Sequence, residues 1–115
     1  MREPVESRFM GTAYAVSFPP LVAGGDRYGE TDNVKRIISV EEPLAHDLKR
    51  ETLIHEVLHQ LIYMTGLPLP AKTEEAVATV LGRSLLGHMR DNPALWRWVL
   101  QRPPKEQPQA GPAPT

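Results

Sequence analysis

The run His55-Glu56-Val57-Leu58-His59 places two imidazoles four residues apart in a stretch with helical periodicity, and it constrains this chain more than any other feature. From Leu48 the apolar positions Leu53, Ile54, Val57, Leu58, Leu61, Ile62 and Met64 recur with that period, after Asp47 as the expected N-cap. Gly66 is the expected C-terminal stop, reinforced by Pro68 and Pro70. Residues four apart on a helix have Cβ atoms about 5–6 Å from each other, so both rings can hold one ion. Glu56 is rotated to one side of that pair, where it reaches a metal-bound water and not the metal. Zinc lowers the pKa of such a water to roughly 7, so a carboxylate can take its proton at neutral pH. The pattern predicts Zn2+ held by His55 and His59, with Glu56 as general base.

Composition narrows the remaining choices. The 115 residues suffice for one domain with one modest core. Cysteine is absent, which leaves His and carboxylates as metal ligands and fits a reducing compartment. The net charge of −1 comes from interspersed acids and bases, so nucleic acid is not an expected partner. No apolar run is long enough for a membrane span, and the N-terminus lacks the apolar core of a secretory signal. The expectation is a soluble cytoplasmic protein without a membrane partner.

The apolar pattern predicts an α+β fold. Tyr14, Val16 and Phe18 alternate with Ala13, Ala15 and Ser17, which marks a half-buried strand over 12–18 that ends at Pro19-Pro20. Leu21-Val22-Ala23 leads to a turn signal at Gly24-Gly25-Asp26, and Tyr28 to Asn33 reads as a second turn-rich segment. Lys35 to Val40 is a second strand with Ile37, Ile38 and Val40 as its core. A small antiparallel sheet or hairpin is therefore expected before the metal-binding helix. A glutamate-bearing helix should follow Pro70, with Thr73 as N-cap, and run to about Arg90. Asn92-Pro93 should open a short last helix anchored by Trp96, Val99 and Leu100. The domain is expected to span 12–101, after an N-terminal extension over 1–11 and before a disordered proline-rich tail over 102–115.

A catalytic zinc usually takes three protein ligands. On a helical wheel Val77, Ala78, Leu81, Leu85, His88 and Met89 define the buried arc of the second helix. Glu74 falls near the centre of that arc and Glu75 at its margin, with Arg83 on the wet side. A carboxylate in the middle of an apolar stripe is costly unless paired or metal-bound. Glu74 is thus the expected third ligand and Glu75 the alternative. His88 lies too far along the axis from Glu74 to bind the same ion and reads as a buried or half-buried histidine, while His46 reaches the site only if its loop folds back.

The segments Glu51 to His59, Thr73-Glu74-Glu75-Ala76-Val77 and Arg90-Asp91-Asn92-Pro93 resemble small H-E-x-x-H proteins of tailed bacteriophages and prophages. These are similar to the zinc-peptidase domain of the ImmA/IrrE family, and the resemblance spans residues 12–100. It implies a gluzincin-like metallopeptidase core, with His55 and His59 as ligands, Glu56 as base and one glutamate of the Glu74-Glu75 pair completing the site. It also implies a phage-encoded protein acting in the host cytoplasm or associated with the virion. Two functions are open at this point. One is a zinc-dependent peptide hydrolase acting on a peptide or protein substrate. The other is a catalytically inactive, zinc-braced module that binds a host or virion protein.

Overall fold

Four strands and three helices are defined in the computed structural model, which describes residues 2–22 and 27–104. The strands are β1 (Glu6–Phe9), β2 (Thr12–Ser17), β3 (Gly29–Asp32) and β4 (Ile37–Val40). The helices are α1 (His46–Thr65), α2 (Ala71–Asp91) and α3 (Pro93–Val99). The architecture is α+β, as the apolar pattern predicts.

Apolar content decides which strands lie inside the sheet. The order is β1-β2-β4-β3, so the two strands that carry Tyr14, Val16, Ile38 and Val40 are central. The polar strands Glu-Ser-Arg-Phe and Gly-Glu-Thr-Asp take the edges. Each edge strand forms an antiparallel hairpin with its inner neighbour, but β2 and β4 pair in parallel, Val16 opposite Ile38. The sheet is therefore mixed, and the expected all-antiparallel arrangement is corrected. Two hairpins that each have one apolar strand bury both by joining those strands, and here the joined strands run the same way.

Two segments outside the expected elements prove to be strands. Residues 6–9, assigned above to an N-terminal extension, are β1. Met10 and Gly11 both have positive φ and form the tight two-residue connection that a twisted hairpin favours. Gly29–Asp32, read above as turn, is β3, and the turn lies just beyond it, where Arg36 has φ 58°. Neither strand has enough apolar residues to announce itself. The Gly24-Gly25-Asp26 turn signal lies outside the described residues. So does the tail from 105 onward, while 102–104 are exposed and outside any element.

α1 lies on one face of the sheet, and its sheet-facing side is unusually polar. Thr52, Glu56 and Gln60 follow one another at four-residue spacing and are all buried. Each has a partner: Thr52 Oγ1 donates to the Leu48 carbonyl, and Gln60 accepts from Ser7 Oγ at 2.6 Å and donates to the Ser7 carbonyl at 3.0 Å. Gln60 thereby fastens β1 to the helix. The helix starts one residue before the expected cap, with Ala45 at the N-cap position, and ends at Gly66 in the left-handed conformation as expected.

α2 packs against α1 through its small residues and not through its large ones. Ala78 and Gly82 are buried, whereas Val80, Leu81 and Met89 are exposed. A Cβ at Gly82 would lie 3.1 Å from the Glu51 carbonyl oxygen and 3.3 Å from the His55 nitrogen. α2 begins at Ala71, so Thr73 is inside the helix and does not cap it. Asn92 and Pro93 do open α3, but of its expected anchors only Trp96 is half-buried, and Val99 and Leu100 are exposed. Trp96 Nε1 donates to His88 Nδ1 at 2.9 Å, which gives that exposed histidine a packing partner instead of a core position.

Gln60→Ala strands the Ser7 carbonyl beneath the sheet and removes two hydrogen bonds. We expect a loss of about 2–3 kcal/mol, read as a lower urea midpoint with an unchanged slope. An unchanged midpoint would show that β1 is held by its pairing with β2 alone.

Candidate metal centre

The two histidines emerge from the middle of α1, beside its buried polar stripe. His55 and His59 are half-buried, with ring centroids 4.9 Å apart, as the four-residue spacing predicts. Their Nε2 atoms approach to 3.2 Å. Glu75 reaches across from α2 and sets one oxygen 3.0 Å from each: Oε1 to His55 and Oε2 to His59. Two imidazole nitrogens and a carboxylate oxygen thus converge within 4.8 Å of one another.

Glu74 has a different position. Its Oε2 lies 2.6 Å from Nδ1 of His59, on the far side of the ring from Glu75. An ionised carboxylate can only accept, so His59 Nδ1 is the donor, and in the neutral ring this leaves the lone pair on Nε2. Glu75, the alternative third ligand, thus has its oxygens among the converging donor atoms, while Glu74 meets His59 at Nδ1. Helix phase accounts for the two positions. The arc of Val77, Ala78, Leu81, Leu85, His88 and Met89 is centred roughly 60° from the face centred on Ala78 and Gly82, at 100° per residue. Around the true centre the two glutamates sit on opposite flanks, and both meet the histidines.

The donor set suits a cation. With the ring neutral, His59 Nε2 turns a lone pair toward a carboxylate oxygen at 3.0 Å and the second imidazole at 3.2 Å. Such a triangle of acceptors repels itself unless a proton or a metal ion sits at its centre. Four-coordinate zinc with bonds of about 2.0–2.1 Å separates its ligands by about 3.3 Å, close to the edges seen here. A carboxylate behind a ligating imidazole is the usual outer partner of such sites.

Glu56 stands beside this triangle and not within it. Its side chain is 7% exposed, and Oε2 lies 3.9 Å from His55 Nε2. Oε1 lies 2.7 Å from Thr31 Oγ1, on edge strand β3, and that hydroxyl is also 2.9 Å from the Glu56 carbonyl. Burial pushes the Glu56 carboxyl pKa up, opposed by the Thr31 hydroxyl and then by the two imidazoles. Gly29, also on β3, makes room for this arrangement. A Cβ there would lie 2.8 Å from Thr52 Cγ2 and 3.0 Å from Glu56 Oε2.

These groups border a cleft of about 700 Å³ between β3 and α2, floored by α1. Thr31 and Gly29 were not identifiable from sequence, because a short polar segment before a turn carries no signal of its contact with α1. Of the other candidates, His46 is exposed on the first turn of α1, 2.9 Å from Asp47, and does not border the cleft.

Compared with family models, curated proteins and solved structures, the chain matches none. Its functional reading therefore rests on the site itself.

The geometry separates the two glutamates experimentally. Among the described residues Glu75 alone turns carboxylate oxygens toward both Nε2 atoms, so for Glu75→Gln zinc affinity in a chelator competition should fall by at least about 10²-fold. Glu74→Gln leaves a hydrogen-bonding partner at His59 Nδ1, and the loss should be nearer 10-fold, at the lower end of the range for outer partners. The reverse order would return the ligand role to Glu74.

Proposed function

We propose that the chain is a zinc-dependent peptide hydrolase in which Glu56 is the general base. His55 and His59 through Nε2 and Glu75 through a carboxylate oxygen would hold the ion, with Glu74 keeping His59 in the ligating tautomer. When bound, zinc supplies a Lewis acid that polarises a carbonyl and makes water acidic enough to be deprotonated near neutrality. Glu56 Oε2, on the side of its carboxylate that faces the cluster, accepts the proton of the attacking water. It then returns that proton to the departing amine nitrogen as the C–N bond breaks. Thr31 holds Oε1 and leaves Oε2 for this exchange.

The unpaired edge of β3 borders the same cleft, so an extended peptide can add to it by main-chain hydrogen bonds. The Gly29 main chain runs past Glu56 Oε2 with no side chain in the way. The observation that carries the reading is the position of Glu56: buried and aimed at the donor cluster, yet not one of the donors. A site that only braces the fold has no use for such a group.

A second reading, a zinc-braced binding module without activity, draws on α3 and its C-cap. There Leu95, Trp98 and Leu100 are exposed at 48%, 76% and 75%. Single exposed apolar residues are common on soluble proteins, so this weighs less than the buried carboxylate.

Glu56→Gln decides between them. The variant should keep its zinc and its fold, while hydrolysis of a random peptide library, followed by mass spectrometry, falls at least about 10²-fold. Equal cleavage by both proteins would remove Glu56 from the chemistry. No cleavage by the zinc-loaded wild type would favour the binding module.

A further inference from the structure

The cleft holds two cations besides its acids. Glu56, Glu74 and Glu75 gather around the histidines, whereas Arg27 and Arg83 line it further along, with Glu30 and Glu51 also in the lining. Arg83 shares a face of α2 with Glu75 and Thr79, at four-residue steps, and all three border the cleft. Eight residues of helix place it about 12 Å along the axis from Glu75. Its guanidinium is loosely held: Nε lies 3.7 Å from Glu51 Oε2, longer than a hydrogen bond, and the side chain is 78% exposed. Arg90 on the same helix, by contrast, meets Asp47 at 3.0 Å.

The packing also orients the cleft. Gly29 lies over Thr52 and Glu56, and Thr31 over Glu56, so β3 runs in the same direction as α1. α2 runs the opposite way, with Glu74 at His59 and Gly82 at Glu51 and His55. Arg27 and Arg83 are therefore at the end of the cleft where β3 begins. Antiparallel pairing is the more stable way to add a strand to an edge. A peptide added in that sense has its C-terminal side toward the two arginines. At about 3.3 Å per residue, 12 Å corresponds to about three to four residues.

Resting on the hydrolase reading, we infer that Arg83, assisted by Arg27, binds a carboxylate of the substrate about three residues to the C-terminal side of the cleaved bond. The forked guanidinium of Arg83 suits a carboxylate at two points, and the long contact to Glu51 is readily exchanged for it. The carboxylate has two possible sources: an Asp or Glu side chain, or the C-terminus of a peptide cut near its end. Both present the same group to the same arginine.

The test measures binding, so it does not depend on turnover. Random decapeptide pools are passed over immobilised zinc-loaded Glu56→Gln protein, and the retained peptides are quantified by mass spectrometry. One pool ends in a free carboxylate, one in an amide, and one in an amide with a single aspartate fixed at each position in turn. Retention of at least one carboxylate pool should exceed that of the plain amide pool about five- to tenfold, and the excess should shrink with added salt. Arg83→Gln, at an exposed position where folding is not at stake, should abolish the excess, and Arg83→Lys should restore it in part. Preference for the free C-terminus would identify the α-carboxylate as the group bound, and preference for fixed aspartate the side chain. Equal retention of the carboxylate and amide pools, an excess that survives Arg83→Gln, or no retention of any pool would overturn the inference. Failure of the hydrolase reading is read separately, as absence of cleavage by the wild-type protein.

Discussion

The close approach of α2 to α1 at Gly82 is the contact on which the site depends. With no side chain at Gly82 and only a methyl at Ala78, the helices come together until the Gly82 backbone lies against the His55 backbone. Glutamate has a short reach, and only this separation lets a carboxylate on one helix meet imidazoles on the other. The same approach brings Glu74 to one side of His59 and Glu75 to the other. A bulkier residue at Gly82 would push against backbone atoms, which cannot rotate away as a side chain can.

A second constraint operates on the opposite side of α1. Burying a carboxylate under a sheet edge is unfavourable unless it is hydrogen-bonded. Thr31 meets that requirement for Glu56, and the absence of a side chain at Gly29 provides the room. The buried stripe Thr52, Glu56 and Gln60 thus serves two purposes. Gln60 ties β1 to the helix, and Glu56 sets a buried carboxylate beside the imidazoles. Low exposure of this kind is what raises the Glu56 carboxyl pKa.

Much of this organisation was legible in the sequence, in proportion to how local the signals are. The histidine pair and Glu56 depend only on helical spacing, and they lie where that spacing puts them. The central strands were legible because Tyr14, Val16, Ile38 and Val40 alternate, and alternation is a property of the segment itself. β1 and β3 were not, because edge strands with polar side chains owe their pairing to their neighbours. Sequence alone does not place Glu75 rather than Glu74 beside both Nε2 atoms, for a related reason. Large apolar residues usually mark the buried face of a helix, but α2 buries Ala78 and Gly82 and leaves Leu81 and Val80 exposed. Helix phase judged by bulk was therefore misplaced, and only the partner helix reveals that the contact is made by small residues.

The central claim is that two imidazoles from α1 and one carboxylate from α2 form a single zinc site. Zinc K-edge absorption of the protein loaded with one equivalent of zinc tests it most directly. The account predicts a four-coordinate shell of nitrogen and oxygen at about 2.0–2.1 Å, with outer-shell scattering from two imidazoles. A spectrum that lacks imidazole scattering, or one unchanged when His55 and His59 are both replaced by alanine, would contradict it.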